Sequence, residues 1–300
     1  MSGSNQFILL IGAAIASVVG FQNGILFKSM INDVSSNIKS ITGAILILLF
    51  VGALSGTWLI SGIIPSMIYY GLQILHPTIF LPSCLIICAI ISISTGSSWT
   101  TSATVGIALI GIGRAIDIPD GMVAGAVISG AYFGDKLSPL SDTTNLAPAV
   151  SGSDLFTHIK YLTITTVPTI TITLIILSII NVFIVSTGPT DHQILLDTIN
   201  KTFNISPILF LVPLLVIFMI FKKTPPLIAL FVGTVLGGLF AVIFQSSIIN
   251  ILSGETELSF KGAYQAVLNS MTIETSIDSG DPVLNDLFKS GGMKGMLDTI

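Results

Sequence analysis

Six stretches of this chain, at roughly 7–27, 41–60, 78–95, 162–187, 205–221 and 225–244, are apolar almost from end to end. A helix needs about 20 mostly apolar residues to cross a bilayer, so several of these runs qualify or nearly do. Hydrocarbon offers no water, so every backbone N–H and C=O must be satisfied within the chain, which leaves helices or a closed barrel. Barrel strands alternate polar and apolar residues over about ten positions. These runs do not alternate, and they read as helices. Only 9% of residues are charged, against about 25% in a soluble domain. That is too few to cover a water-facing surface, so lipid is the expected main solvent and partner. The expected class is an all-α polytopic membrane protein, a helix bundle.

The remaining composition narrows the partners and the layout. A net charge of −4 with no basic cluster gives no sign of nucleic acid. The N-terminus, MSGSNQ, lacks the positive region of a secretory signal, so the first apolar run is expected to be retained. Cys84 and Cys88 lie one helical turn apart in an apolar segment without further metal ligands, and read as packed or lipid-facing thiols. Lys28 and Lys39 flank the polar stretch NDVSSN, read here as a connection, and Lys222 and Lys223 stand between two runs. Positive residues near helix ends favour the cytoplasm, so both connections are expected inside. Residues 1–244 are expected to form an incomplete transmembrane transport domain. Residues 245–300 read as an acidic extramembrane tail, where Glu255, Glu257, Glu274, Asp278, Asp281 and Asp286 outnumber three lysines. Small-residue pairs at Gly52/Gly56, Gly121/Gly125, Gly130/Gly134 and Gly233/Gly237 should let helices approach closely. The pieces at 103–116 and 119–134 are too short to span upright, and such interrupted segments point to a transporter's binding site.

Two polar breaks interrupt the apolar pattern. Charged side chains near a bilayer centre cost roughly 2.5–3.5 kcal/mol each on insertion scales, so they are rare there and usually functional. Gly130 to Val150, GAYFGDKLSPLSDTTNLAPAV, holds two carboxylates, a lysine, two prolines and many hydroxyl and amide groups. Pro139 removes a backbone donor and clashes with the preceding turn, so a helix arriving through Gly134 should unwind near Ser138. Beyond it Asp142 offers charge, and Ser141, Thr143, Thr144 and Asn145 offer neutral oxygens, a donor set suited to a sodium-sized cation. The competing reading has Asp142 capping a helix that starts at Thr143; the two roles are compatible.

Asp135 lies seven residues before Asp142 and could converge with it across the break. Burial raises a carboxylate's pKa and a nearby ammonium lowers it, so a carboxylate between those influences could exchange a proton for a cation near neutral pH. Lys136 does not share a helix face with Asp135. It is expected to tune charge by neutralising a group elsewhere in the bundle, the alternative being a helix-end pair snorkelling to the interface. Upstream, Thr95 to Thr104 (TGSSWTTSAT) offers Ser97, Ser98 and Thr100 as hard oxygen ligands. The alternative there is hydroxyls bonding back to carbonyls one turn earlier.

With TGSSWTT upstream and SGSDLFTHIKYL downstream, the Gly130–Val150 string resembles the NhaC family of sodium/proton antiporters, part of the ion transporter superfamily, over about residues 40 to 190 and more weakly beyond. The resemblance implies secondary exchange of Na+ for H+ in the cell membrane of a bacterium. In some relatives it implies exchange of organic anions such as malate and lactate. It also implies two inverted repeats, each with a re-entrant hairpin and a Pro-broken helix meeting at mid-membrane. Thr95–Thr104 would be the hairpin tip and Asp135–Asn145 the broken segment of the first repeat. Family members continue through further helices, so the chain reads as the first repeat and the start of a second. From the stop at Ile300 comes the expectation that residues 1–300 alone do not transport without a complementing C-terminal half or a homo-oligomeric partner.

The expected function is Na+/H+ antiport, with sodium- and proton-coupled organic-anion exchange as the alternative. Asp135 and Asp142 would bind cation and proton, with Ser97, Ser98, Thr100, Ser141, Thr143, Thr144 and Asn145 as neutral ligands. No catalytic residue, cofactor or resident metal is expected beside the transported ions. A membrane-embedded enzyme would want paired aspartates on intact helices or a core histidine. His76, His158 and His192 all lie outside the apolar runs.

Overall fold

The computed structural model describes residues 5–74, 77–139, 141–185, 192–222, 224–255, 257, 259–279, 285 and 288–297. His76, Asp191, Lys223, Asp281 and Asp286 lie outside the described residues, as do the side chains of Thr100, Asp142 and Asn145. The chain divides into two compact units, residues 1–46 and 47–300. The first holds α1 (Asn5–Gln22) and the start of α2 (Phe27–Ile60). NDVSSN is not a connection, because α2 runs straight through it. That stretch lacks Gly and Pro, its side chains are exposed, and Asn37 Nδ2 donates to the Asp33 carbonyl one turn back at 2.9 Å. The turn falls earlier, at Gly24, whose φ of 78° suits glycine. Lys39 is therefore a mid-helix residue and marks no loop, while Lys28, the second residue of α2, follows the turn at Gly24.

The second unit continues with α3 (Ile63–Ile74), a 3-10 turn at Pro77–Ile79 and α4 (Phe80–Thr95). Next come α5 (Ser98–Thr101), a π turn at Ser102–Gly106, α6 (Ile107–Ala115), α7 (Asp120–Leu137), α8 (Asp142–Ser151) and α9 (Leu155–Val185). The remainder is α10 (His192–Thr202), a 3-10 turn at Pro207–Phe210, α11 (Leu211–Phe221), α12 (Pro226–Phe244), α13 (Ser246–Ser253), α14 (Phe260–Thr272), strands β1 (Thr275–Ser276) and β2 (Lys289–Ser290), and α15 (Gly292–Leu297).

Among the described residues, Leu155–Ile184 and Pro226–Phe244 are long and apolar enough to cross a membrane. Two further pairs qualify only together. Ile45–Ile60 with Ile63–Ile74 is bent by 73°, and Leu196–Thr202 with Pro207–Ile220 by 87°. Gly62 makes the first bend at φ 76°. At the second, Ser206 caps the 3-10 turn by accepting the Ile208 N–H. The run expected at 162–187 is the back of a longer helix. Asp154 caps α9 by accepting the Thr157 N–H at 3.0 Å, and His158 sits in its first turn. Pro168 does not end α9, and the window of it that best fits a span is only 6% buried.

The tightest packing joins α4 to α7. A methyl on Gly130 would overlap the Leu85 carbonyl, and one on Gly134 would meet the Ala89 carbonyl at 2.6 Å. Ser92 donates its hydroxyl to the Ala131 carbonyl at 2.6 Å across the same contact, and Cys84 and Cys88 are buried beneath it as free thiols. Gly233 and Gly237 likewise meet α2 side chains, including Trp58. Gly121 and Gly125 face open space, so that pair serves no helix contact. At the start of α7, Arg114 forks onto Asp120, with Nε to Oδ1 at 2.9 Å and Nη2 to Oδ2 at 2.5 Å. This hydrogen-bonded guanidinium holds the Asp120 carboxyl below its usual range.

Residues beyond 245 fold back on the bundle. Phe288 meets Phe203 with ring centres 5.1 Å apart, and the Ser290 and Ser55 hydroxyls lie 3.2 Å apart. Gly52 and Gly56 make room for the Gly292 and Ser270 carbonyls.

Candidate functional site

The two polar breaks meet in space. α4 ends because Gly96 takes φ 71°, and its N–H returns to the Ser92 carbonyl at 2.8 Å. Thr101 then donates both its N–H and its hydroxyl to the Ser97 carbonyl, at 3.2 and 2.8 Å, which starts the chain back as α5. The π turn that follows is a form often found at functional sites. On the other side α7 stops at Leu137, ahead of Pro139, and α8 starts at Asp142. The sequence placed the unwinding near Ser138, and there the chain leaves the helix as extended backbone.

Ser98, only 5% exposed, donates its hydroxyl to Asp135 Oδ2 at 2.9 Å, joining the tip after α4 to the end of α7. Thr144 reaches back over the break, its hydroxyl 3.0 Å from the Asp135 carbonyl and 3.3 Å from that of Lys136. Ser141 is the cap of α8, accepting the Thr144 N–H at 3.4 Å, with its hydroxyl 3.0 Å from that of Thr143. Asp142 is therefore the first residue of α8 and not its cap. The break gathers the carbonyl end of α7 and the N–H end of α8.

A helix C-terminus carries about half a negative charge, so the Asp135 carboxylate adds to a field of its own sign. Among the described residues Asp135 is half-buried and makes no ion pair. Lys136 is exposed, and its ammonium pairs with no described carboxylate. Of the predicted ligands, Ser98, Asp135, Ser141 and Thr144 come together. Ser97 contributes its backbone carbonyl to the Thr101 turn, and the Thr143 side chain is exposed.

Three polar residues that position these elements were not singled out from the sequence. Ser92 ties α4 to α7. Asn181, fully buried in α9, accepts the Leu81 N–H at 2.9 Å and donates to the Pro77 carbonyl at 2.8 Å, fastening the start of α4. Gln245 binds the bends of the other helices. Asn181 is an amide inside an apolar run, and that was an available signal; Ser92 and Gln245 lie beside further polar residues, Ser94 and Ser246, and do not stand out in the same way.

The Na+/H+ antiporter family model matches residues 130–300, beginning where α7 approaches the break. The malate-2H(+)/Na(+)-lactate antiporter of Bacillus subtilis is 37% identical over 298 residues, covering 98% of this chain and 60% of that protein. The Na(+)/H(+) antiporter NhaC of Alkalihalophilus pseudofirmus is 37% identical over 272 residues, covering 91% of this chain and 55% of that protein. NhaC of Bacillus subtilis is 32% identical over 294 residues, covering 97% and 62%. The chain thus spans about three fifths of the length of these relatives. No solved structure matches it. On the family match and these identities, the chain belongs to the Na+/H+ antiporter family, NhaC type, a family of integral membrane transporters.

Proposed function

We propose that this chain carries the cation and proton site of a secondary transporter that exchanges Na+ for H+ across a bacterial cell membrane. The observation that supports the reading is the Ser98–Asp135 contact, in which a half-buried carboxylate, in no ion pair among the described residues, meets a hydroxyl from the tip after α4 at the end of α7. Asp135 and Asp142 take the cation or the proton in turn. Ser97, Ser98, Thr100, Ser141, Thr143, Thr144 and Asn145 supply neutral oxygens, and Lys136 sets the local charge. α4 to α6 form a re-entrant hairpin, and α7 with α8 the broken helix of the first of two inverted repeats. The rest of the transport path comes from a complementing C-terminal half or from a second copy, and no cofactor takes part.

The test is proton-driven sodium uptake into everted vesicles, with the chain joined to the C-terminal part of NhaC of Bacillus subtilis. Asp142→Asn and Asp135→Asn should each abolish exchange while leaving membrane insertion intact. Near-normal exchange in either variant removes that carboxylate from the mechanism.

A second reading is favoured by the relative named for malate and lactate exchange. It needs a cationic anchor for a carboxylate, which Lys136 would supply from its exposed position at the end of α7. Thermal stabilisation by malate that is lost in Lys136→Gln would select it over sodium/proton exchange.

A further inference from the structure

Three helix ends converge on one carboxamide far along the chain from the site above. Gln245, between α12 and α13, is 1% exposed. Its Nε2 donates to the Asn204 carbonyl at 2.9 Å and to the Ser61 carbonyl at 3.4 Å, and its Oε1 accepts the Asn204 N–H at 3.0 Å. Asn204 Nδ2 in turn donates to the carbonyl of Phe244, the last residue of α12, at 3.2 Å. Ser61 lies in the 73° bend between α2 and α3, and Asn204 in the 87° bend between α10 and α11.

The chemistry of these ends explains why an amide is there. Ser61, Asn204 and Phe244 each follow or close a helix, where carbonyls lack partners and the helix field is negative. A carboxamide supplies a donor to that field without bringing a charge into an apolar interior. Space has been made for it, since a Cβ on Gly62 would run into Gln245 Nε2. Each bend alone could be satisfied by a local cap, as Ser206 already caps the turn after the second. A shared side chain does something local caps cannot, because both bends hold one carboxamide and opening either leaves that buried group with an unmet donor or acceptor, so each bend's closure favours the other's.

We propose that Gln245 is the coupling joint of this half of the fold, a positioning residue that makes the two bends open and close together. The proposal stands on the geometry of the bends and assumes nothing about the transported ion, so it survives or fails independently of the function proposed above. It is tested by hydrogen exchange of the whole chain in lipid nanodiscs, comparing wild type with Gln245→Met, which keeps the length of the side chain and removes both bonding functions. Exchange should quicken about tenfold at residues 202–208 and at residues 59–64 alike, with the α4 amides unchanged. Quickening at 202–208 alone would make Gln245 a local cap and overturn the joint, as would no change at either bend. If Gln245→Met fails to fold, shown by immediate reactivity of Cys84 and Cys88, then Asn204→Ala decides. That variant loses only the strut to Phe244, and paired quickening of about threefold supports the joint. Quickening confined to one bend overturns it.

Discussion

At the scale of single residues, the break after α7 is held by hydroxyls more than by charges. Thr144 reaches two carbonyls in the last turn of α7, where helical partners run out and that of Asp135 is met from the backbone by the Ser138 N–H at 3.3 Å. Thr144→Val keeps the shape and removes the donor, so it should cost about 1 kcal/mol of stability. Thermal unfolding followed by the reactivity of the buried thiols Cys84 and Cys88 would measure it, and an unchanged midpoint would mean the hydroxyl contributes nothing. The types of residue at this site were legible in the sequence, because carboxylates and hydroxyls in an apolar chain stand out. Their division of labour was not. Ser141 and Asp142 are both good caps, and the choice between them depends on where the chain resumes its helix after Pro139. That point is set by the turn from Ser138 to Ser141, where the Ser141 N–H meets the Ser138 carbonyl at 3.2 Å; Ser-Pro at its first two positions is a β-turn pattern, a signal the sequence reading did not use.

At the scale of elements, glycine spacing was a good guide where a second helix lies opposite and a poor one where none does. Gly134 and Gly125 occupy similar small-residue patterns in α7, yet a methyl on Gly134 meets backbone atoms of Ala89 and Ile93 at 2.6 Å, while one on Gly125 meets nothing within 4 Å. Gly134→Ala should therefore force α7 off α4, lower stability by about 1–3 kcal/mol and draw the neighbouring Asp135 away from Ser98. Gly125→Ala should be neutral or stabilising by up to about 1 kcal/mol, since it only improves helix propensity. Equal effects of the two in the same thiol assay would refute the packing account. The polarity of NDVSSN misled for a related reason. Polar residues without Gly or Pro do not end a helix, and whether their side chains meet water is a property of the surroundings. Breaks carrying a backbone constraint, at Gly96 and Pro139, were legible, and the expected run limits at 60 and 205 fall at the bends of Gly62 and Asn204; what the residues did not give is that the chain turns there by 73° and 87°.

At the scale of the whole molecule, the elements that carry the site and those gathered by Gln245 meet through α3 and α6. There Ile68 seats against Gly111 and Ile112 against Gly71, an apolar reciprocal contact. Asn181 adds a polar tie from α9, a helix whose other contacts with the core are made by partly buried Ile170, Leu174, Leu177, Ile180 and Ile184. Its two bonds satisfy the Leu81 N–H, in the first turn of α4 where amides lack helical partners, and tie that turn to the Pro77 carbonyl. In membrane interiors such bonds average about 0.6 kcal/mol and reach about 1.7. Asn181 makes two and leaves the buried Leu81 N–H without its partner when removed, so Asn181→Leu should sit near the upper figure. The loss should also be polar in its geography. Exchange of the amides at residues 77–83 should rise, while those at the far end of α4, beside Gly96 and the Ser98–Asp135 contact, keep their protection, because Ser92 and the Gly130–Gly134 packing hold that end independently. A uniform rise along α4 would show instead that the helix is fastened as a single piece, with Asn181 as its anchor over the full length.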